Sequence, residues 1–368
     1  VDGGSGSGTN GTGGKNGSIT VHYMAGGFGD DAYKNLAADY KALTGVSVVY
    51  KPSYSQGEIQ QLLNSKQEQY DIVMPLLNMY AAQDSGKLEN LDEVYNAIPE
   101  GETVAIKDKM NKDMCDYLLA DDGHRYQMVS NDSVSAICYN ADTLDEAFGA
   151  GNWELPLTTN ELLKMSDDLV AKGYYAFSTS AAINYYWEYM GIVWWAQYEG
   201  LESFDNFYEG KYLDGTEWKY GPAINDAKGR EIALTTLSEI MNVGKGRMHS
   251  RVVNMDFKSA QRAFLGKGYV NDTKKVGFMV NGDWLENEMA SVLISSPQNI
   301  GMMRAPVVSE LADKLASVRT EARLAAIVKA VDENKTYAET ATGDLADLTE
   351  ADYEHVREAR LMVYTATP

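Results

Sequence analysis

Apolar residues fall into a regular rhythm only after residue 17. Ile19–Tyr23 reads as a strand and Gly26-Gly27-Phe28-Gly29 as a turn. Asp30 or Asp31 can cap a helix whose Leu36, Ala37, Tyr40 and Leu43 share one face. Gly45 stops that helix, and Val46–Tyr50 is a second strand. A further helix carrying Ile59, Leu62 and Leu63 leads to a third strand, Asp71–Met74. Strand, helix, strand, helix, strand predicts parallel βαβ units. The fold class is therefore α/β, with ligands expected at the carboxyl ends of the strands. Those ends are the loops Gly26–Asp31, Lys51–Ser55 and Pro75–Tyr80.

Ser133–Tyr139 is another strand, followed by Asn140-Ala141-Asp142 and then Pro156-Leu157-Thr158-Thr159. A Thr-started helix comes next, with Leu162, Leu163, Met165 and Leu169 inside it, and it ends at Gly173. Residues 183–200 concentrate three tryptophans and four tyrosines. Glu231–Met241 and Ser259–Phe264 read as helices, and Val276–Val280 as a short strand before the turn residues Asn281-Gly282-Asp283 and Trp284. Ser309–Val331 and Thr349–Val363 each carry an amphipathic helical pattern. No repeat of solenoid period is present.

Composition narrows the field. The 368 residues carry 53 Asp+Glu against 32 Lys+Arg, a formal charge of −21, which disfavours nucleic acid or an anionic membrane surface as main partner. Length predicts about two domains, and 44% hydrophobic residues supply a core. No apolar run approaches the ~18 residues of a spanning helix, so a soluble chain is expected. Residues 1–17 hold eight glycines and one apolar residue, Val1; they read as a flexible tether, suited to a domain hung from a surface, with Val1-Asp2 alternatively a cloning remnant.

Two cysteines, Cys115 and Cys138, form either one disulfide or two buried thiols; a chain this long needs no staple, which favours thiols. His22, His124, His249 and His355 are scattered without metal-binding spacing, and none sits in a G-x-S-x-G setting. The GGFG turn and Gly244-Lys245-Gly246 lack the frames of nucleotide-binding loops. No metal and no cofactor are expected.

Several signatures occur in a specific order: Gly86-Lys87-Leu88, Asp122-Gly123-His124-Arg125-Tyr126, Ile137-Cys138-Tyr139-Asn140 with Asp142, and Pro156…Thr159-x-Glu161-Leu162. Phe264-Leu265-Gly266-Lys267-Gly268 then leads through Gly277-Phe278-Met279-Val280 to Asn281-Gly282-Asp283-Trp284. Over residues 18–306 this resembles the family 1 extracellular solute-binding proteins of ABC importers, the maltose-binding-protein-like group. The resemblance implies a two-lobed, type II periplasmic-binding-protein architecture: a lobe at 18–137, an aromatic-rich lobe at 138–305, and a helical return segment at 306–368 packing on the first lobe. The Ile137–Asn140 strand would cross between lobes. The chain finishes after a helix, where a returning strand is expected. The resemblance further implies a monomer that binds an oligosaccharide and delivers it to permease subunits. Its location would be extracellular, as a membrane-tethered lipoprotein of a Gram-positive-type bacterium, or periplasmic.

Sugar recognition needs flat aromatic faces against C–H-rich ring faces, and carboxylates or amides for hydroxyls. The 24 Tyr and 6 Trp suit that demand. Trp284 is the foremost candidate; in the resembled family this Trp often stacks on sugar, and the resemblance implies that Asp283 sits beside it to bind hydroxyls, with Asn281 of the same turn a further candidate. Its alternative is packing on its own lobe. Asn78 and Tyr80 follow the third strand, and Phe28 and Asp30 the first, where Asp30 serves equally as a helix cap. Asp132 and Ser133 open the crossover strand. Tyr185, Trp187 and Trp194 belong to the aromatic segment, much of which is core.

Two other classes compete. A glycoside hydrolase would use two carboxylates about 5–10 Å apart, and among 53 acidic residues some pair always suits. A same-fold receptor for ferric iron would use adjacent tyrosines such as Tyr174-Tyr175 or Tyr185-Tyr186, and a polyamine receptor would use aromatics with carboxylates.

Overall fold

The computed structural model describes residues 17–24, 27, 29–53, 70–74, 86, 88–129, 133–181 and 185–366. The chain is mixed α/β and divides into two compact units, one ending before Ser133 and one spanning Ser133–Ala366.

In the first unit, strands β1 (Ser18–Met24), β2 (Ser47–Ser53) and β3 (Ile72–Met74) form a parallel sheet in the order β2-β1-β3. Edge strand β2 accommodates Pro52, whose missing N–H would break an interior ladder. Helix α1 (Asp31–Thr44) joins β1 to β2 and stops at Gly45, which takes the left-handed φ of 79°. The expected helix around Ile59, Leu62 and Leu63 lies outside the described residues. Helices α2 (Asp92–Asn96) and α3 (Lys112–Tyr117) follow, with Tyr95 wholly buried, its hydroxyl donating to the Gln127 carbonyl at 2.7 Å.

The second unit is built on strands β4 (Ser133–Asn140), β5 (Tyr175–Phe177), β8 (Val276–Gly282), β9 (Ile300–Met303) and β10 (Tyr364–Ala366); β6 (Lys211–Asp214) and β7 (Glu217–Tyr220) make a separate hairpin. The sheet order is β10-β4-β8-β5, with β9 pairing the far half of β4. Only β5 runs parallel to β8; β4 is antiparallel to β8, β9 and β10.

Alternation along the strands sends Ile137, Phe278 and Val280 to one core and Cys138 and Met279 to another on the opposite face. Helix α4 (Thr159–Ala171) starts as its Thr158 predicts, the hydroxyl accepting from the Glu161 N–H at 3.3 Å. Helix α5 (Tyr185–Glu199) is apolar on nearly every side and is enclosed accordingly, by β4, β8, β10 and helix α6 (Lys228–Ile240) among others. Its last carbonyls are satisfied from distant segments: His355 Nε2 donates to Gln197 at 3.0 Å, and Lys314 Nζ donates to Tyr198.

Four expectations are corrected. Ser309–Val331 is not one helix: a turn at Leu311–Lys314 breaks before Arg319, which takes φ 69°, and Thr320 caps a new helix, α7 (Glu321–Asp332). The break is imposed by tertiary contacts, because Ser317 bonds Asp352 through both its N–H (2.8 Å) and its hydroxyl (2.6 Å). Residues 306–366 pack within the second unit rather than on the first: α7 and helix α8 (Glu350–Leu361) bury Leu324, Ile327, Val356 and Ala359 in the same core as α5. The chain also does return as a strand, β10, after α8, and the whole of Ser133–Asn140 belongs to the second unit instead of crossing at 137.

Cys115 and Cys138 are both free and buried. Among the described residues no helix is long and apolar enough to cross a membrane.

Candidate functional site

The carboxyl ends of the parallel pair lie at Phe177 of β5 and Gly282 of β8. Beyond β5, Ser178 and Ser180 are buried, their hydroxyls donating to the carbonyls of Ala260 (3.1 Å) and Met255 (2.7 Å). Beyond β8, the Asp283 N–H donates to Val134 at 3.2 Å, extending the β4 pairing by one residue and delivering Trp284 to the sheet's end.

Register sets what meets there. Ser135 is opposite Gly282 on one side and Tyr364 on the other, so Tyr364, Ser135 and Gly282 form a row across three strands. The Trp284 indole folds back over Gly282. From α5, Tyr186 lies 6.1 Å from the Trp284 ring, tilted by 34°, and 5.8 Å from Tyr189, edge to face. Tyr189 in turn stacks on Tyr364. Four rings thus run Tyr364–Tyr189–Tyr186–Trp284 above the ends of β10, β4 and β8. Beneath them Ser135 donates its hydroxyl to the Asn281 carbonyl at 3.1 Å, whereas the buried Ser133 Oγ has no partner among the described residues. The Trp187 indole N–H, also buried, has none either, its ring standing edge-on to Phe177 at 5.5 Å. Buried polar atoms are ordinarily bonded, so these two, on the β4 strand and the α5 helix that also carry Ser135 and Tyr186, stand out.

The sequence-derived candidates separate as follows. Trp284 belongs to the row, only 6% exposed and packed on its own unit; Ser133 opens the neighbouring strand β4, and Trp187, next to Tyr186 on α5, faces Phe177. Asp283 is exposed at the rim. Asn281 is a strand residue rather than a turn residue: it is wholly buried on the other face, its amide beside the Met279 sulfur at 3.9 Å and its Oδ1 accepting from the Gly282 N–H. Trp194 is also wholly buried, its N–H donating to the Pro306 carbonyl at 3.0 Å, which makes it a core residue.

Asp30, in the first unit, caps nothing through its side chain. It accepts from the Tyr23 hydroxyl (2.7 Å) and from Lys34 (2.6 Å), and these bonds, that of Lys34 first, hold its carboxyl below the usual range. Phe28, Asn78, Tyr80 and Asp132, and the side chain of Tyr185, lie outside the described residues.

Sequence reasoning missed Tyr189, Tyr364 and Gly282 as site residues. Tyr186 and Tyr189 are three apart on one helix, a spacing that puts both on one face and carried the signal for Tyr189. Tyr364 had none, because its role arises from the pairing of β10 with β4.

Of the tyrosine pairs considered for iron, Tyr174 and Tyr175 do not converge: Tyr174 packs toward one core and bonds Glu146 at 3.0 Å, while Tyr175 packs toward the other and bonds Asp272 at 2.7 Å. The other pair includes Tyr185, whose side chain lies outside the described residues. No group of three or more His, Cys, Asp or Glu able to hold a metal occurs among the described residues. An open concavity of about 660 Å³ runs along α8, lined by Leu201, Glu354, His355 and Leu361 among others. It has neither the aromatic row nor the orphan polar atoms, so the strand ends are the better candidate. Compared with known proteins, the chain matches no family model and no curated sequence.

Proposed function

We propose that this chain is a solute-binding protein that captures an oligosaccharide and delivers it to the permease of an ABC importer. In this reading the two units are the lobes of a type II binding protein that closes on its ligand. The chain works as a monomer outside the cell membrane, held there as a lipoprotein or free in a periplasm.

The observation that carries the reading is the four-ring row, together with the unpartnered Ser133 hydroxyl on β4 and Trp187 N–H on α5. Pyranose rings offer C–H faces to aromatic rings and hydroxyls to just such donors and acceptors. The order of motifs along residues 18–306, with its resemblance to family 1 solute-binding proteins, supports the same ligand class. A receptor of this kind closes only because the ligand makes contacts in the closed state that it lacks in the open one.

The test is isothermal calorimetry and thermal shift against gluco-, xylo- and manno-oligosaccharides, with chromatography of the sugar recovered afterwards. Saturable binding, a raised melting temperature and unchanged sugar are expected. Shortened sugar makes the protein a hydrolase, and an absence of binding across the panel removes the oligosaccharide reading.

A further inference from the structure

We infer that Gly282 is a positioning residue that fixes the depth and tilt of the Trp284 indole in the aromatic row; its relevance to ligand affinity rests on the oligosaccharide reading above. Gly282 is the last residue of β8, paired with Ser135 of β4 and buried. Glycine in such a place weakens a strand. The backbone does not require it, for Gly282 is not among the residues with positive φ.

What requires it is the ring. A Cβ at position 282 would fall far inside contact distance of Cε3, Cζ3 and Cη2 of Trp284. The colliding atoms belong to a rigid, fused ring that is 6% exposed and tilted against Tyr186, so it cannot swing aside as a flexible chain end would. The absence of a side chain at 282 is therefore what lets the six-membered half of the indole rest on the sheet. Any larger residue lifts the ring and changes its angle to Tyr186, and with it the surface the row offers.

The test is a double-mutant cycle between Gly282→Ala and Trp284→Leu on the full chain. Melting temperature, near-ultraviolet circular dichroism and affinity for whichever panel oligosaccharide binds the parent protein are measured. Gly282→Ala alone is expected to lower the melting temperature by about 5 °C. It should also alter the aromatic dichroism and weaken binding about tenfold or more. In the Trp284→Leu background the same substitution is expected to leave melting and dichroism unchanged, because the ring it collides with is gone. If Gly282→Ala does not fold, recovery of folding in the double variant gives the same answer. An equal cost in both backgrounds, or a double variant that also fails to fold, overturns the inference by assigning Gly282 to the strand alone. Should the parent protein bind no oligosaccharide, the ligand reading fails, and the melting and dichroism arms still decide the positioning role.

Discussion

Tyr189 and Tyr364 stack face to face, with ring centroids 4.1 Å apart and planes 18° from parallel. One ring rides on the buried helix α5 and the other on β10, so the contact fastens the last strand to the aromatic row.

This stack stabilises the second unit. Tyr364→Ala is expected to cost about 2 kcal/mol, and a cycle with Tyr189→Ala to show a coupling of about 1 kcal/mol. Urea denaturation of the four proteins measures it, and additive costs would mean that the rings do not interact.

Trp284→Ala is expected to weaken oligosaccharide binding by about 1–3 kcal/mol, through loss of the stacking face. Calorimetry with the parent's best sugar is the measurement. Unchanged affinity would move the binding surface away from the row.

Acid sensitivity follows from His249. Its ring is wholly buried against Tyr175 at 4.5 Å, with Tyr269 edge-on at 6.3 Å, and Nδ1 accepts the Arg251 N–H at 3.1 Å. Burial pushes its pKa down; Asp272 opposes that shift, and Arg251 and Lys274 reinforce it. The unfolded chain, with an ordinary value near 6.5, binds the proton first, so this contribution to stability is complete above about pH 6.5 and is lost as the pH falls below it. His124, raised by its bond to Asp92, has the opposite sign: its contribution is present at low pH and lost as pH rises through its folded pKa. Urea midpoints from pH 8 to 5 are therefore compared between the parent and His249→Gln, where a flatter acid limb is expected. Parallel limbs would acquit His249.

The thiols are predicted to be silent. Burial, with the charge of Asp283 adding to it, pushes Cys138 up to about 12, and Cys115 is buried in the first unit. A thiol reagent at pH 8 should titrate neither in the native protein and both in guanidinium without reductant. Two thiols missing after unfolding would reveal a disulfide.

Local signals were read well where they were self-sufficient. Gly45 ends α1 and Thr158 starts α4 because each acts on the residues next to it. The periodicity of Ser309–Val331 misled because Leu315 and Val318 are apolar for the sake of the core, not of a helix face, and Asp352 holds Ser317 out of helical bonding. Trp284 was legible as a strand-end aromatic. That its ring would lie on Gly282, with Tyr186 beside it, depended on register and on a helix nearly a hundred residues upstream. Asn281 went astray for a related reason: Asn-Gly reads as a turn, yet here both residues complete the β8 ladder.

The capping of α5 by His355 and Lys314, and of the row by Tyr364, ties residues of one helix to residues made well over a hundred positions later. During synthesis at ~5–20 residues per second, the apolar helix around Trp194 waits roughly 8–34 s for the segments that enclose it. Throughout that interval it is a sticky, unfinished surface, so crowding of nascent chains and the supply of chaperones should govern the yield of this protein more strongly than its final stability does.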